Sequence, residues 1–426
     1  MALCGTAACE RSGPSRPNIL ILVLDTLRAD HLGLYGYGRP TSPTLDSLAA
    51  SSIVFDRAVA QAGATVASHA SLFHSRLPSQ VGSDRPTLAE LLRAGGYQTV
   101  GLTDGGFISR PYGFARGFEV WEEFGRGGLS QSLPRLDTWL SAEVRPPWYV
   151  FLHTYDVHLP YDPPPPYDTM FLPEYEGPVG PERTTEICRK IRRLYEHEGF
   201  EGEVRLTADD RRKMVSLYDG GIRYTDELVG RLLELLRTRG RLDDTVLVVL
   251  SDHGEEFWDH GSVLHGHTVY QELLHVPLVV RLPGGRGGGR RVSETVRLLD
   301  VAPTLLELAG LQPPPTFQGR SLTPQLEGKL SSDRPAVSEM GALKSRIEMP
   351  WKLIVDPDKP RPALFDLVHD PAELADVSAQ EPERLVALTE ALRRSLSDQL
   401  QDVPVLPHED VSPEMREQLR ELGYVE

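Results

Sequence analysis

Cysteine is nearly absent from this 426-residue chain, with Cys4, Cys9 and Cys188 the only three. An odd, scattered set offers no disulfide framework, and no redox compartment follows from it. Apolar runs are short, none approaching the roughly 20 residues of a membrane-spanning helix. Positive charge is in deficit: 45 lysines and arginines face 61 aspartates and glutamates, for a net charge of -16. Such a chain does not hold nucleic acid through a general phosphate-backbone field. An anionic substrate would need a local patch of metal and cations. There is no internal repeat, and the run Gly284-Gly285-Arg286-Gly287-Gly288-Gly289 lacks the Lys-Ser/Thr that would make it a phosphate loop.

What is present is an ordinary globular composition, 40% hydrophobic and 25% charged, with room for a large core. Three stretches share one design. Residues 246–250 are apolar and end in Ser251-Asp252-His253-Gly254-Glu255-Glu256. Ile19-Leu20-Ile21-Leu22-Val23-Leu24 runs into Asp25-Thr26, and Trp148-Tyr149-Val150-Phe151-Leu152 into His153-Thr154-Tyr155-Asp156-Val157-His158. Short aliphatic runs ending abruptly in acid and imidazole read as buried parallel strands that deliver polar groups at their carboxyl ends. Open α/β sheets keep their sites there. Carboxylate oxygen with imidazole nitrogen suits a divalent ion.

Along the chain, residues 1–15 read either as the tail of a bacterial lipoprotein signal or as a plain cytoplasmic leader. That leaves the periplasm or cell envelope open beside the cytoplasm. Residues 16–330 form the α/β domain. In it Ser42-Pro43 opens a helix, Thr65 starts a small-residue helix, and Thr87-Leu88-Ala89-Glu90 is a capping box. Residues 163–203, rich in proline, glycine and charge, read as a surface excursion over the site. A long helix is expected over residues 208–238, capped by Thr207 and Asp210 and bent or split by Gly220-Gly221. Residues 331–426 read as a small α+β subdomain and tail, with strands at 351–355 and 363–367 and a helix at 381–400.

Several motifs in a fixed order then carry a resemblance. They are Leu24-Asp25-Thr26-Leu27-Arg28, Thr65-Val66-Ala67-Ser68-His69, Asp156-Val157-His158-Leu159-Pro160, Ser251-Asp252-His253-Gly254 and His265-Gly266-His267, followed by Trp351-Lys352-Leu353-Ile354 and Leu364-Phe365-Asp366-Leu367. From residue 16 onward the chain resembles the sulfatase family of the alkaline phosphatase superfamily. The resemblance implies a mixed, mostly parallel sheet flanked by helices, with a small C-terminal α+β subdomain. It also implies one divalent ion, calcium or manganese ahead of magnesium or zinc. By the same matching Asp25, Asp252 and His253 would ligate the ion, and Thr65 would be both ligand and nucleophile. His69 would support that nucleophile, His158 would touch the bound anion, and His267 stands where many members have lysine.

Two departures direct the expected chemistry. Sulfatases of the family carry cysteine or serine at the position of Thr65, the precursors of formylglycine, whereas threonine resembles the superfamily's phosphoryl enzymes. The motif proline is Ala67, and the frequent second acid after Asp25 is Thr26. The expectation is a hydrolase of small phosphate esters, diesters or phosphonate esters acting through Thr65. Its rivals are sulfate-ester hydrolysis, phosphoryl transfer, and a non-catalytic member that binds an anion or glycan. Taken singly, Asp25 could cap a loop and Thr65 a helix. Asp252 with His253 at a buried strand end is harder to dismiss, because unpartnered buried polar groups are costly. His260 and His265 are expected to be structural or solvated, and His74 and His275 to belong to a helix and a strand.

Overall fold

The computed structural model describes residues 16–396 apart from 83, 126, 197–204 and 330, together with the isolated positions 413 and 416. The expected leader at residues 1–15 lies outside the described residues. Strands β1 (Asn18–Leu24), β2 (Ile53–Val59), β3 (Gln98–Thr103), β4 (Val120–Glu123), β5 (Trp148–Thr154) and β6 (Thr245–Leu250) belong to one nine-stranded sheet. Two two-residue strands, β7 (Glu256–Phe257) and β8 (Val263–Leu264), form a separate ribbon. The large sheet is completed by β9 (His275–Val276), β10 (Leu278–Arg281) and β11 (Arg290–Arg297), in the order β11-β2-β10-β6-β1-β5-β3-β4 with β9 beside β2. Strand β1 pairs in parallel with both β5 and β6, and β10 is an antiparallel wedge between β6 and β2. The sheet is mixed and mostly parallel, as expected.

Every residue of β1 is buried. Because side chains alternate across a strand, Ile19, Ile21 and Val23 enter one core with Phe55, Leu72 and Phe73, while Leu20, Leu22 and Leu24 enter another with Leu217, Leu228 and Leu232. The flanking helices are α1 (Pro43–Leu48), α2 (Thr65–His74), α3 (Leu88–Ala94), α4 (Gly128–Ala142), α5 (Thr184–Glu196) and α6 (Ala208–Thr238). The capping boxes Thr87/Glu90 and Thr207/Asp210 form with both reciprocal hydrogen bonds. The helix opened by Ser42-Pro43 gets its cap differently: Asp226 of α6 accepts from the amides of Thr44 and Leu45, at 2.8 and 2.9 Å.

One expectation fails in α6, which runs unbroken for 31 residues through Gly220-Gly221. The glycines serve close approach instead. A Cβ on Gly220 would lie 2.3 Å from the Tyr167 carbonyl oxygen, so they let residues 163–167 lie directly on the helix.

After the main sheet comes a four-stranded antiparallel sheet, β12 (Ala336–Met340), β13 (Leu343–Glu348), β14 (Trp351–Val355) and β15 (Ala363–Asp366), followed by a helix over Pro382–Leu396. The sequence pattern identifies only its last two strands. It is tied to the body by polar contacts: Ser338 Oγ donates to the Ala60 carbonyl at 2.6 Å, and Glu339 accepts from the Ser79 amide at 2.8 Å. The fully buried pair Lys352 Nζ and Glu373 Oε1 sits 2.7 Å apart, and Glu373 also accepts from the Gln271 amide. No described helix is long and apolar enough to cross a membrane.

Replacing the fully buried Leu22 by alanine is expected to lower the unfolding free energy by about 2–5 kcal/mol in chemical denaturation. Val368→Ala, at a side chain 60% exposed, should change it by less than about 0.5 kcal/mol. Equal effects would contradict a core centred on β1.

Candidate active site

Strand pairing builds the site. Val23 is level with His153 on one side and with Leu250 on the other, so the carboxyl ends of β1, β5 and β6 deliver Asp25, His153 and Asp252 to one place. Asp25 Oδ2 accepts from His153 Nε2 at 3.0 Å. The loops are stitched together just past the strands. Ser251 Oγ accepts from the Leu27 amide at 2.9 Å and donates to the His253 carbonyl at 2.7 Å, and Ser68 Oγ donates to the Asp252 carbonyl at 2.7 Å. Thr26 lies in the left-handed region at φ 59° and its hydroxyl donates to the Asp25 carbonyl. Its side chain is thereby occupied locally. Gly254 must be glycine, since a Cβ there would meet the Glu272 carbonyl oxygen at 1.9 Å.

Thr65 is the first residue of α2, where backbone amides lack partners and favour an anion. Its Oγ1 is 3.2 Å from His253 Nε2. His253 Nδ1 is 2.9 Å from the Gly254 carbonyl, which can only accept, so Nδ1 carries a proton and Nε2 is the nitrogen that faces the hydroxyl. His253 Nε2 is also 3.3 Å from Asp252 Oδ2 and 3.9 Å from Asp25 Oδ1. One turn along α2, His69 Nδ1 lies 2.9 Å from the Thr65 carbonyl and 3.3 Å from Asp252 Oδ2.

Asp25, His69 and Asp252 offer ligand atoms that all lie within 4.8 Å of one another. These groups are fully buried, yet Asp25 Oδ1, Asp252 Oδ2, His69 Nε2 and His153 Nδ1 have no hydrogen-bond partner. Burial and the charge of Asp252 push the Asp25 carboxyl well above its usual range. Asp252 resists burial and is held below that range by His253 and His69. Two buried carboxylates with one orphaned oxygen each, flanked by imidazoles, are a donor set that a divalent cation fits.

Around this centre lie further histidines. The His265 ring packs 4.5 Å from that of His253, tilted, and 5.0 Å from that of His158, edge to face. Its Nδ1 is 2.8 Å from Glu255 Oε1, while Glu255 Oε2 accepts from the Tyr161 hydroxyl at 2.9 Å. Burial pushes Glu255 up to about 7. Burial and the neighbouring His265 lower His158 to about 3, and burial and His253 lower His265 well below the usual imidazole range. His267 is engaged on both ring nitrogens, by Glu256 Oε2 at 2.7 Å and Arg192 Nη1 at 2.7 Å. Arg192 belongs to α5, so the stretch 163–203 does reach the rim of the site.

The sulfatase family model matches residues 17–311. The chain belongs to the sulfatase family. Arylsulfatase K of Xenopus laevis is 31% identical over 205 residues, covering 44% of this chain and 38% of that protein. The match thus spans well under half of that relative's length. Delta 4,5-hexuronate-2-O-sulfatase of Bacteroides thetaiotaomicron is 24% identical over 93% of this chain and 91% of its own. In structure the chain is similar to the phosphonate monoester hydrolase of Agrobacterium radiobacter, with a TM-score of 0.73 at 23% identity, covering 92% of this chain and 99% of that one. It is equally similar, at 21% identity, to a protein solved with its substrate D-glucosamine-2-N,6-O-disulfate. At those identities the likeness shows the fold, which is the alkaline-phosphatase-like sheet expected from the motifs. The family is one of ester hydrolases.

In this sulfatase-family chain Asp25, Thr65, His69, Asp252 and His253 form one cluster, with His158 joined to it through His265. His267 faces the rim. Sequence reasoning names His153 at the polar end of its strand but gives it no role in the site, although it lies within β5 level with Val23 and meets Asp25. Asp104, directly after β3, carried the same signal and was also passed over. His265 was expected to be structural or solvated; it is not solvated but buried just after β8, bonded to Glu255 and packed against His253 and His158. His74 ends α2 and His275 starts β9, as expected.

Protein loaded with a divalent ion is expected to hold it stoichiometrically by atomic emission, and Asp25→Ala and Asp252→Ala to lose it. An unchanged metal-to-protein ratio in both would remove the carboxylate pair from the ion site. His69→Ala and His253→Ala, measured alongside, tell which imidazole is the nitrogen ligand.

Proposed function

We propose that this chain is a metal-dependent hydrolase of phosphate or phosphonate esters with Thr65 as nucleophile. The observation that carries the reading is the Thr65 hydroxyl at the start of α2, 3.2 Å from His253 Nε2 and beside the orphaned oxygens of Asp25 and Asp252. Threonine also bears a methyl on its hydroxyl carbon, so oxidation there would give a ketone rather than an aldehyde. The residues assigned to the ion are Asp25, Asp252, His253 and Thr65; an oxygen-rich set of this kind suits calcium, manganese or magnesium, and its imidazole admits zinc. When bound, such an ion lowers the pKa of the hydroxyl it ligates and neutralises oxygen charge on the ester.

The chain's own residues supply the rest. Thr65 Oγ1 attacks phosphorus in line and gives up its proton to solvent, the bond from phosphorus to the leaving oxygen breaks as that oxygen takes a proton from solvent, and water then cleaves the phosphothreonine, leaving its hydroxyl on phosphorus and returning a proton to Oγ1. The unpaired amides at the start of α2 favour the charge on the equatorial oxygens. His69 is assigned to fixing Asp252, using its Nδ1 proton. His158 and His265, which burial keeps neutral and weakly basic, are assigned to walling the anion site rather than to proton transfer. His267, held between Glu256 and Arg192, is assigned to the wall of the site.

Sulfate-ester hydrolysis is the second reading, favoured by the relatives named as sulfatases. Metal-loaded protein assayed on aryl phosphate, aryl phosphodiester, aryl phosphonate and aryl sulfate decides between them. The expected outcome is phosphoester or phosphonate turnover that falls by at least about a thousandfold in Thr65→Ala while metal content persists. Sulfate preference would overturn the phosphoryl reading, and turnover surviving in the variant would remove Thr65 from the chemistry.

A further inference from the structure

Beside the buried cluster lies a cavity of about 470 Å³ walled by Asp104, Asp156, Asp162, Tyr155, Tyr224 and His158, among others. Two of these residues are shared with the site's surroundings. His158 meets His265 edge to face at 5.0 Å, and the Tyr155 ring is 4.5 Å from His153, the partner of Asp25. The charge of Asp104 is felt at Asp25 itself. No described lysine or arginine lines the cavity.

Its two inner carboxylates are short of protons to accept. The Thr154 hydroxyl, with one proton, is 3.0 Å from Asp104 Oδ2 and 2.8 Å from Asp156 Oδ2. The Tyr155 amide donates to Asp104 Oδ2 and the Leu129 amide, at the start of α4, to Asp156 Oδ2. Asp104 Oδ1 has no partner, although the residue is only 3% exposed. Burial and the charge of Asp156 hold the Asp104 carboxyl well above its usual range, and burial also raises that of Asp156. Among the described residues no cationic side chain lining the cavity answers Asp104 and Asp156, and an anionic ester bound beside them is best accommodated when it also brings a positive charge.

We propose that this cavity receives an organic ammonium group carried by the substrate, so that the preferred ester is zwitterionic, with its anion at Thr65 and its cation against Asp104 and Asp156. The proposal rests on the ester-hydrolase reading above. Volume and chemistry favour an ammonium group over a second metal ion. The cavity is far larger than an ion, its lining includes the aromatic rings of Tyr155 and Tyr224, a type of side chain that attracts a soft cation, and the backbone amides and the Thr154 hydroxyl already occupy one oxygen of each aspartate. Among the described residues the only group able to gather three metal ligands is the one at Asp25.

The test compares a trimethylammonioethyl ester with its uncharged isostere, the 3,3-dimethylbutyl ester, each made as phosphate, methylphosphonate and sulfate. The expected kcat/KM ratio favours the cation by about ten- to a hundredfold, and Asp104→Asn brings it towards one. Because the ratio is taken within each variant, partial loss of folded protein cancels. A ratio near one in the unmodified chain, or one untouched by Asp104→Asn, overturns the proposal. Calorimetry with choline and 3,3-dimethylbutanol, on the unmodified chain and on Asp104→Asn, separates the two claims. Choline binding that weakens in the variant upholds the cation site even if no ester is turned over, a result that would count against the hydrolase reading alone. Displacement of choline by magnesium or calcium at the same carboxylates would make the cavity a metal site and overturn the ammonium assignment.

Discussion

Two buried carboxylates that the protein satisfies at one oxygen only, Asp25 and Asp252, stand opposite each other past the ends of β1 and β6. Each raises the cost of burying the other's charge, and the surrounding imidazoles offset that only in part. The parallel pairing of β5, β1 and β6 makes the juxtaposition: in the observed register Val23 is level with both His153 and Leu250, so the polar ends of the three strands meet. Much of the nearby architecture serves to hold the polar groups in place. Ser251, Ser68 and the Thr26 backbone stitch the loops, and Gly254 allows the Glu272 carbonyl to close over them.

Legibility in the sequence followed regularity of structure. Asp25, Asp252 and His253 could be read because each follows an uninterrupted aliphatic strand, a signal that period and burial produce together. His153 and Asp104 sit in the same relation to β5 and β3. Their chemistry was overlooked because an isolated strand-end polar residue has no partner in sequence; Asp25 and Asp104 acquire theirs only through pairing across 128 and 51 positions. His265 had no periodic signal at all, since it sits just after the two-residue strand β8, where its burial depends on Glu255 and on the ring of His158. The strands β12 and β13 were hidden by their own interface: Ser338 and Glu339 point into contacts with Ala60 and Ser79, which breaks the apolar alternation by which a strand is recognised. The continuity of α6 through Gly220-Gly221 was misjudged for a related reason, because the glycines answer to a neighbouring carbonyl rather than to the helix.

The rim is organised by charge relays that reach far from the chemistry. Glu256 binds His267, which binds Arg192 of α5; the other oxygen of Glu256 caps the His260 and Ser262 amides. His260 stacks on Tyr270 at 3.5 Å and pairs with Glu272, and Gln271 is tied to Glu373, the partner of Lys352. The second sheet is therefore fastened to the loop that carries His265 and His267, and its place in the fold bears on the shape of the site.

The cluster at the strand ends contains aspartates, imidazoles and a hydroxyl but no lysine or arginine, so none of its members carries a permanent positive charge. A folded domain with that interior gains from whatever brings positive charge to it, a proton on Asp25 or a cation from outside, and a ligand that binds the native state alone adds its binding free energy to stability. Were the proposed ion to bind there, folding and ion uptake would be thermodynamically linked: the midpoint of unfolding would track the free ion concentration, and the chain's resistance to heat would report the mineral content of its surroundings.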